Sequence, residues 1–468
     1  MAKKAEFATR IGLIAATVGS AVGLGNVWRF PAETQENGGA AFLLLYVICV
    51  LALGVPVMLG EMVLGRGGRS DAIGVMKRLA RGTPWWIVGA VAILASYLIA
   101  VFYMVVAGWT LEYLVCSFTG TLYGEGMPAP ESMSLAAGAV RADAGWFGSR
   151  MAVLLQHWWP PLLATVAVIL LNITILLRGV QKGIEKLSNL LMPLLFLILA
   201  ALCVVAFTLP GASEGLRFFL SPDFSKIDAE VVINALGQTF FSLSLGMGIL
   251  VTYSSYYPMD ANLPRTSVTV ALLSLLVAVM TGCVIFPAVT TFGLQHEGLE
   301  GTTLIFLTLP EVFARLPLAP LWSGLFFLLL FVAAITSTVS ISEVSVAMLI
   351  DRFRMSRRRA VLTAMLPLLF LSGVCSMSVG PWKGFTLFGM SFFDFLDTFA
   401  TNILLPLVGI GTCLFVGWFG PGRLLRRQLS AGSGLTGRGA ALLTGIVGFI
   451  LRWVAPVCIL LIFLYRFF

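Results

Sequence analysis

Eleven long apolar runs leave this chain little choice of environment. They fall at roughly 11–33, 40–65, 86–118, 160–178, 188–210, 232–256, 266–293, 322–350, 360–378, 391–419 and 440–466. About 20 apolar residues carry a helix through bilayer hydrocarbon, where only helices and closed barrels satisfy their own backbone. Composition agrees: of 468 residues, 59% are hydrophobic and 11% charged, against about 25% charged in a soluble globular chain. The expectation is an all-α integral membrane protein with eleven transmembrane helices, called spans 1 to 11 below.

Charge sets the orientation. Lys3, Lys4 and Arg10 precede span 1, and Arg66, Arg69, Lys77, Arg78 and Arg81 separate spans 2 and 3. Arg178, Lys182 and Lys186 follow span 4, Arg352, Arg354, Arg357, Arg358 and Arg359 follow span 8, and Arg423, Arg426, Arg427 and Arg438 follow span 10. The alternate loops hold far fewer, which predicts a cytoplasmic N-terminus and, after eleven crossings, a C-terminus outside the cytoplasmic (inner) membrane. The net charge of +8 therefore has a plainer source than nucleic acid. No cleavable signal peptide is expected, and no obligate protein partner; the surroundings are membrane lipid.

Catalytic and metal chemistry find little support. Cys49, Cys116, Cys203, Cys283, Cys375, Cys413 and Cys458 lie in or at the ends of apolar runs without ligand spacing, and read as small buried hydrophobes. His157 and His296 fall in loops, so no base sits at membrane depth for an intramembrane enzyme. Glu61 and Glu343, inside apolar runs, read as structural. The Gly-, Pro- and Ser-rich stretch 119–157 reads as an external loop, and Thr302–Phe313, interrupted by Pro310, as a surface or re-entrant element.

Two spans carry glycine pairs where an apolar helix has no use for them. Span 1 contains Ser20-Ala-Val-Gly-Leu-Gly-Asn26 and span 6 contains Ser242-Leu-Ser-Leu-Gly-Met-Gly248. Small residues also serve helix packing, so either segment alone is ambiguous. Together, five spans apart, they predict a pair of interrupted helices in two halves that cross the membrane in opposite senses, the arrangement of an inverted-repeat transporter. The boundaries follow: 1–10 a cytoplasmic segment, 11–210 repeat one, 211–419 repeat two, and 420–468 a cytoplasmic loop with span 11. Unwound carbonyls can hold a cation, and half-helix N-termini an anion.

The residues at these breaks resemble a known family. Arg-Ile-Gly-Leu-Ile (10–14), Ala-Val-Gly-Leu-Gly-Asn-Val-Trp-Arg-Phe-Pro (21–31) and Glu-Asn-Gly-Gly-Ala-Ala-Phe (36–42) look like the opening of the neurotransmitter:sodium symporter family. Gly-Gln-Thr-Phe-Phe-Ser-Leu-Ser-Leu-Gly-Met-Gly (237–248), Thr-Leu-Pro-Glu-Val-Phe (308–313) and Thr-Ser-Thr-Val-Ser (336–340) resemble it as well. The eleven spans are similar to the bacterial amino-acid transporters of that family, with their leucine-transporter-like fold of two inverted five-helix repeats.

The resemblance implies a sodium-coupled symporter that imports an L-amino acid by alternating access, using one or two Na+ ions. A first sodium site would use the Ala21 carbonyl, Asn26, Ser242 and Ser274. A second would use the carbonyls of Gly19, Val22 and Ala333 with the hydroxyls of Thr336 and Ser337; on spacing alone such hydroxyls back-bond to the preceding turn. The substrate carboxylate would meet the N–H groups of Leu24 and Gly25 and the Tyr103 hydroxyl. Monoamine carriers have Asp where this chain has Gly23, so the substrate here brings its own carboxylate. Its side chain would lie among Ile99, Val106, Phe241, Ser244, Met247 and Ile341, with Thr338 nearby; this uncharged lining implies a hydrophobic or aromatic amino acid. Arg29 and Asp397 would gate the outside, and Lys4 and Asp351 the inside, with Phe7 where the family often latches its N-terminus with Trp. Gly183 and Pro193 are compatible with an unwinding of span 5 or with an ordinary kinked start. Ala278 stands where relatives carry Glu or Ser, which leaves chloride dependence and proton counter-transport open. A sensor of the same fold, and a proton- or sugar-coupled carrier, are the competing readings.

Overall fold

The computed structural model describes residues 5–124, 147, 151, 153–155, 157–293, 304–420, 422–434 and 437–465. The expected loop 119–157 therefore lies mostly outside the described residues, as does Lys4. Among the described residues the regular elements are all helices, with a single isolated bridge between Leu387 and Met390. Among the described residues, nine helices are long and apolar enough to cross a bilayer: Ala40–Gly68, Trp86–Phe118, Trp159–Leu177, Val180–Phe207, Leu263–Thr291, Ala319–Phe353, Arg357–Ser378, Phe392–Phe419 and Gly437–Tyr465. These are spans 2 to 5 and 7 to 11. Span 1 is the bent pair Arg10–Ala21 and Gly25–Glu36. Span 6 is split into Ala229–Ser242 and Ile249–Ser254, pieces too short to pass a length test, so length and composition support ten crossings at most.

Local chemistry explains where these helices start and bend. Side chains cap several first turns: Thr9 accepts from the Gly12 N–H (2.9 Å), Asp228 from Val231 (2.8 Å), Asn262 from Arg265 (2.9 Å) and Ser391 from Asp394 (3.1 Å). Wide π-type turns at Gly25–Arg29, Val50–Gly54, Leu304–Thr308, Phe399–Leu404 and Ile450–Val454 each end two residues before a proline, Pro31, Pro56, Pro310, Pro406 and Pro456. Proline lacks the N–H and crowds the carbonyl four residues back; a widened turn absorbs both defects. Span 5 differs. Its wide turn, Val180–Glu185, contains Gly183 but has no proline two residues on, and the α-helix runs unbroken past Pro193.

Burial orders the bundle. The apolar window of span 8 is 83% buried and that of span 3 is 72%, whereas span 11 is 22% buried. Spans 3 and 8 form the centre and span 11 the lipid-facing edge. The segment between spans 7 and 8, expected as a surface or re-entrant element, packs inward: Ile305, Phe306, Leu309 and Val312 are buried, and the Phe306 ring meets Trp109 at 6.0 Å and Tyr113 at 4.9 Å.

Candidate functional site

Both breaks occur where the glycines stand. The first half of span 1 ends at Ala21, Val22 turns extended (φ −87°, ψ 102°), and the halves bend by 53°. The Leu24 N–H donates to the Tyr103 hydroxyl at 3.0 Å. Gly23 leaves room beside two oxygens: a methyl there would lie 2.6 Å from Ser337 Oγ and 2.9 Å from the Tyr103 hydroxyl.

Span 6 breaks over 243–248 with Ser244 (φ 54°), Gly246 (φ 79°) and Gly248 (φ 68°) in left-handed backbone. Three outside groups hold this loop. The Ser244 hydroxyl donates to the Ser20 carbonyl at 2.8 Å, the Gly246 N–H donates to Glu61 Oε1 at 2.7 Å, and the Ser96 hydroxyl donates to the Met247 carbonyl.

Between the breaks lies a cavity of about 30 Å³, lined by Ser20, Ala21, Gly23, Gly25, Asn26, Ile99, Phe102, Tyr103, Phe241, Ser244, Met247, Ser337 and Ile341. Four of the residues expected at or near the substrate and sodium sites, Leu24, Val106, Ser242 and Thr338, do not line this cavity. Val106 and Thr338 are buried outside the lining; Thr338 back-bonds to Ile335 (3.0 Å) and accepts from Asn172 (3.1 Å). Ser242 accepts from the Tyr46 hydroxyl at 2.7 Å, and Leu24 is committed to Tyr103. Phe102 lines the cavity without any sequence signal beyond its neighbour Tyr103.

The oxygens around the cavity divide into satisfied and unsatisfied ones. Asn26 Nδ2 donates to the Ser274 carbonyl (3.0 Å) and hydroxyl (2.8 Å), while its Oδ1 is buried with no partner. Thr336 back-bonds to Val332 (3.2 Å) and Ala333 (3.0 Å), the ordinary behaviour of a helical threonine. Ser337 does not: its Oγ is buried without a hydrogen bond. Span 1 reaches span 8 at this level, Gly19 facing Thr336 closely enough that a methyl would lie 3.3 Å from its Cβ. Among the described residues no group of three His, Cys, Asp or Glu is placed to hold a metal ion. What the cavity offers is neutral hard oxygens, a donor set that would fit Na+. Ala278 is fully buried, and on span 6 Gln238 donates to the Gly25 carbonyl at 3.0 Å.

The residues expected as gates have the following surroundings. Arg29 pairs with Glu33 at 3.1 Å, lies 5.0 Å from the Phe241 ring, and shares a crevice with Thr401 and Asn402 of span 10. Asp397 sits one turn before them, its carbonyl accepting from Thr401 at 2.8 Å. Phe7 packs edge-on against Tyr253, Tyr256 and Tyr257 at 5.9–6.4 Å. Sequence reasoning missed its companions. Glu185 accepts from the Ala8 N–H (2.8 Å), the Thr9 N–H (3.0 Å) and the Thr9 hydroxyl (2.7 Å), and Glu6 pairs with Arg69. Glu185 thus joins the wide turn of span 5 to the start of span 1. Asp351, at the end of span 8, acts on Asp71 in the loop after span 2, whose carboxyl is held above its usual range by burial first and by Asp351 in addition.

Known proteins share this arrangement. The sodium:neurotransmitter symporter family matches residues 4–126 and 156–468. The sodium-dependent transporter YhdH of Bacillus subtilis is 36% identical over 99% of this chain and 97% of its own length. The bovine sodium-dependent dopamine transporter is 31% identical over 89% of this chain and 62% of its own. The crystal structure of MhsT in complex with L-phenylalanine superposes with a TM-score of 0.85 at 39% identity, covering 99% of both chains. With its broken spans 1 and 6, its leucine-transporter-like fold and a match over nearly its whole length, this chain belongs to the sodium:neurotransmitter symporter family.

Proposed function

We propose that this multi-pass membrane transporter is a symporter that imports a hydrophobic or aromatic L-amino acid together with one or two Na+ ions. One observation carries the reading: Asn26 Oδ1 and Ser337 Oγ, two of the cavity's lining residues, are buried oxygens without partners. A buried polar atom left unpaired is costly, so each is a reason to bind something. Asn26 with Ser274, Ser242 and the Ala21 carbonyl would take one Na+. Ser337 with Thr336 and the carbonyls of Gly19, Val22 and Ala333 would take the other.

The substrate carboxylate would sit at Gly23 and Gly25, on the Leu24 and Gly25 N–H groups and the Tyr103 hydroxyl. Its side chain would lie among Ile99, Phe241, Met247 and Ile341, with Ser244 at the amine end and Val106 and Thr338 behind the first layer. No charged side chain lines the cavity, and MhsT, of closely similar fold, was crystallised with L-phenylalanine; both favour an apolar or aromatic substrate. Alternating access would hinge on the two breaks within repeats 11–210 and 211–419, with Arg29–Asp397 as outer gate, Lys4–Asp351 as inner gate, and 420–468 as a peripheral element. Lys and Arg placement supports a cytoplasmic N-terminus and an external C-terminus in the cytoplasmic membrane.

Equilibrium binding of labelled L-amino acids to purified protein tests this, starting with L-phenylalanine in Na+ and in K+. Binding in Na+ alone, weakened by Ser337→Ala, is expected. Equal binding in both salts, or none by any apolar or aromatic amino acid, overturns the reading.

A further inference from the structure

Among the described residues three glutamates are buried in the bundle: Glu343 has a countercharge, Glu185 accepts three hydrogen bonds from Ala8 and Thr9, and Glu61 has no countercharge and a single hydrogen bond. Glu343 of span 8 receives two hydrogen bonds from the Arg357 guanidinium (2.7 and 2.6 Å) and one from the Tyr256 hydroxyl (2.8 Å). Glu61 of span 2 is 1% exposed and accepts one hydrogen bond, from the Gly246 N–H in the span 6 break. Its other oxygen, Oε2, is buried with no partner. Glu61 also lines a cavity of about 10 Å³, close to the least volume that admits one water.

Among the described residues no Lys, Arg or His side chain lines this cavity. The helix Ala72–Leu79 lines it with Met76, span 3 with Val88 and Ala92, the second half of span 6 with Val251, and span 10 with Val408 and Thr412. The buried Cys413 thiol lies near Glu61 and is no cation. Arg66, further along span 2, is committed to Gln428 and the Ala261 carbonyl. This cavity shares no lining residue with the one between the breaks. A bare carboxylate in such surroundings is the costliest state a side chain can take.

We propose that Glu61 holds a monovalent cation of its own, one proton or one sodium ion, and that this cation keeps the carboxyl buried on Gly246 and so holds the span 6 break in shape. The lining offers a single hydroxyl, Thr412, and otherwise hydrocarbon, which suits a proton on Oε2 better than a metal ion in need of several oxygens. The site goes beyond the symport reading: it stands on charge balance at span 2 and survives whatever the main cavity binds.

The test compares wild type with Glu61→Gln, which keeps an oxygen for the Gly246 N–H but needs no cation. If the cation is a proton, the infrared difference spectrum contains a buried carboxylic-acid C=O band that Glu61→Gln loses, and both proteins bind the same number of ²²Na+ ions. If it is sodium, no acid band is lost and wild type binds one ²²Na+ more at saturation than Glu61→Gln. If Glu61→Gln removes only a carboxylate band and the ²²Na+ counts are equal, the carboxylate is solvated by water alone and the proposal falls. Should Glu61→Gln fail to fold, Glu61→Asp serves the same comparison: a proton-bearing site shifts its acid band on shortening, and a carboxylate band at that position with an unchanged ²²Na+ count again overturns the proposal.

Discussion

The two broken spans use glycine for opposite reasons. In span 1 no residue of the break takes a positive φ; Gly23 and Gly25 supply space, the first beside Ser337 and Tyr103, the second under the Phe241 ring, 2.7 Å from where a methyl would stand. In span 6, Gly246 and Gly248 supply left-handed backbone, and the loop is tied to spans 1, 2 and 3 through Ser20, Glu61 and Ser96. One break is shaped by what it leaves open, the other by what holds it. Ligand affinity should therefore reside chiefly in the span 1 break, and the integrity of the bundle in the span 6 break.

Substitutions can break that contrast. The largest effect is expected from Gly246→Ala: left-handed backbone costs an L-residue about 1–2 kcal/mol, and the new methyl would also lie 2.8 Å from the Leu405 carbonyl. The thermal midpoint of the purified protein should fall, by the equivalent of about 2 kcal/mol or more. An unchanged midpoint would erase the distinction between the breaks. Gly23→Ala comes next and should act the other way round. Overfilling a packed site costs about 1–3 kcal/mol, felt here as amino-acid binding weakened roughly 5- to 150-fold at a nearly unchanged midpoint. Tyr103→Phe is the mildest. It strips the Leu24 N–H of its partner, worth about 1 kcal/mol where water can reach the vacated place, so binding should weaken about fivefold; a midpoint that drops with it would make Tyr103 a structural residue instead.

What could be read from the sequence follows from chain distance. The span 1 motif packs Ala21, Gly23, Gly25 and Asn26 into one stretch, so it was visible. The ties that hold the breaks join residues far apart: Glu61 to Gly246 across 185 positions, Ser244 to Ser20 across 224, Glu185 to Thr9 across 176. Glu61 and Glu343 look alike in sequence, each a lone acid in an apolar run, and only their neighbours separate them. Adjacent hydroxyls show the same limit: Thr336 faces back along its helix and Ser337 does not, which spacing cannot decide. Ser242, expected at the cavity, is turned towards Tyr46 by a bond 196 positions away in the chain.

The central claim is that these two breaks together form a sodium-coupled amino-acid site. Uptake of labelled L-phenylalanine into proteoliposomes containing the purified protein tests it most directly. The account predicts accumulation above the external concentration under an inward Na+ gradient, lost when the gradient is collapsed and reduced in Gly23→Ala. Accumulation that ignores the gradient, or filling only to equilibrium while binding remains sodium-dependent, would contradict it.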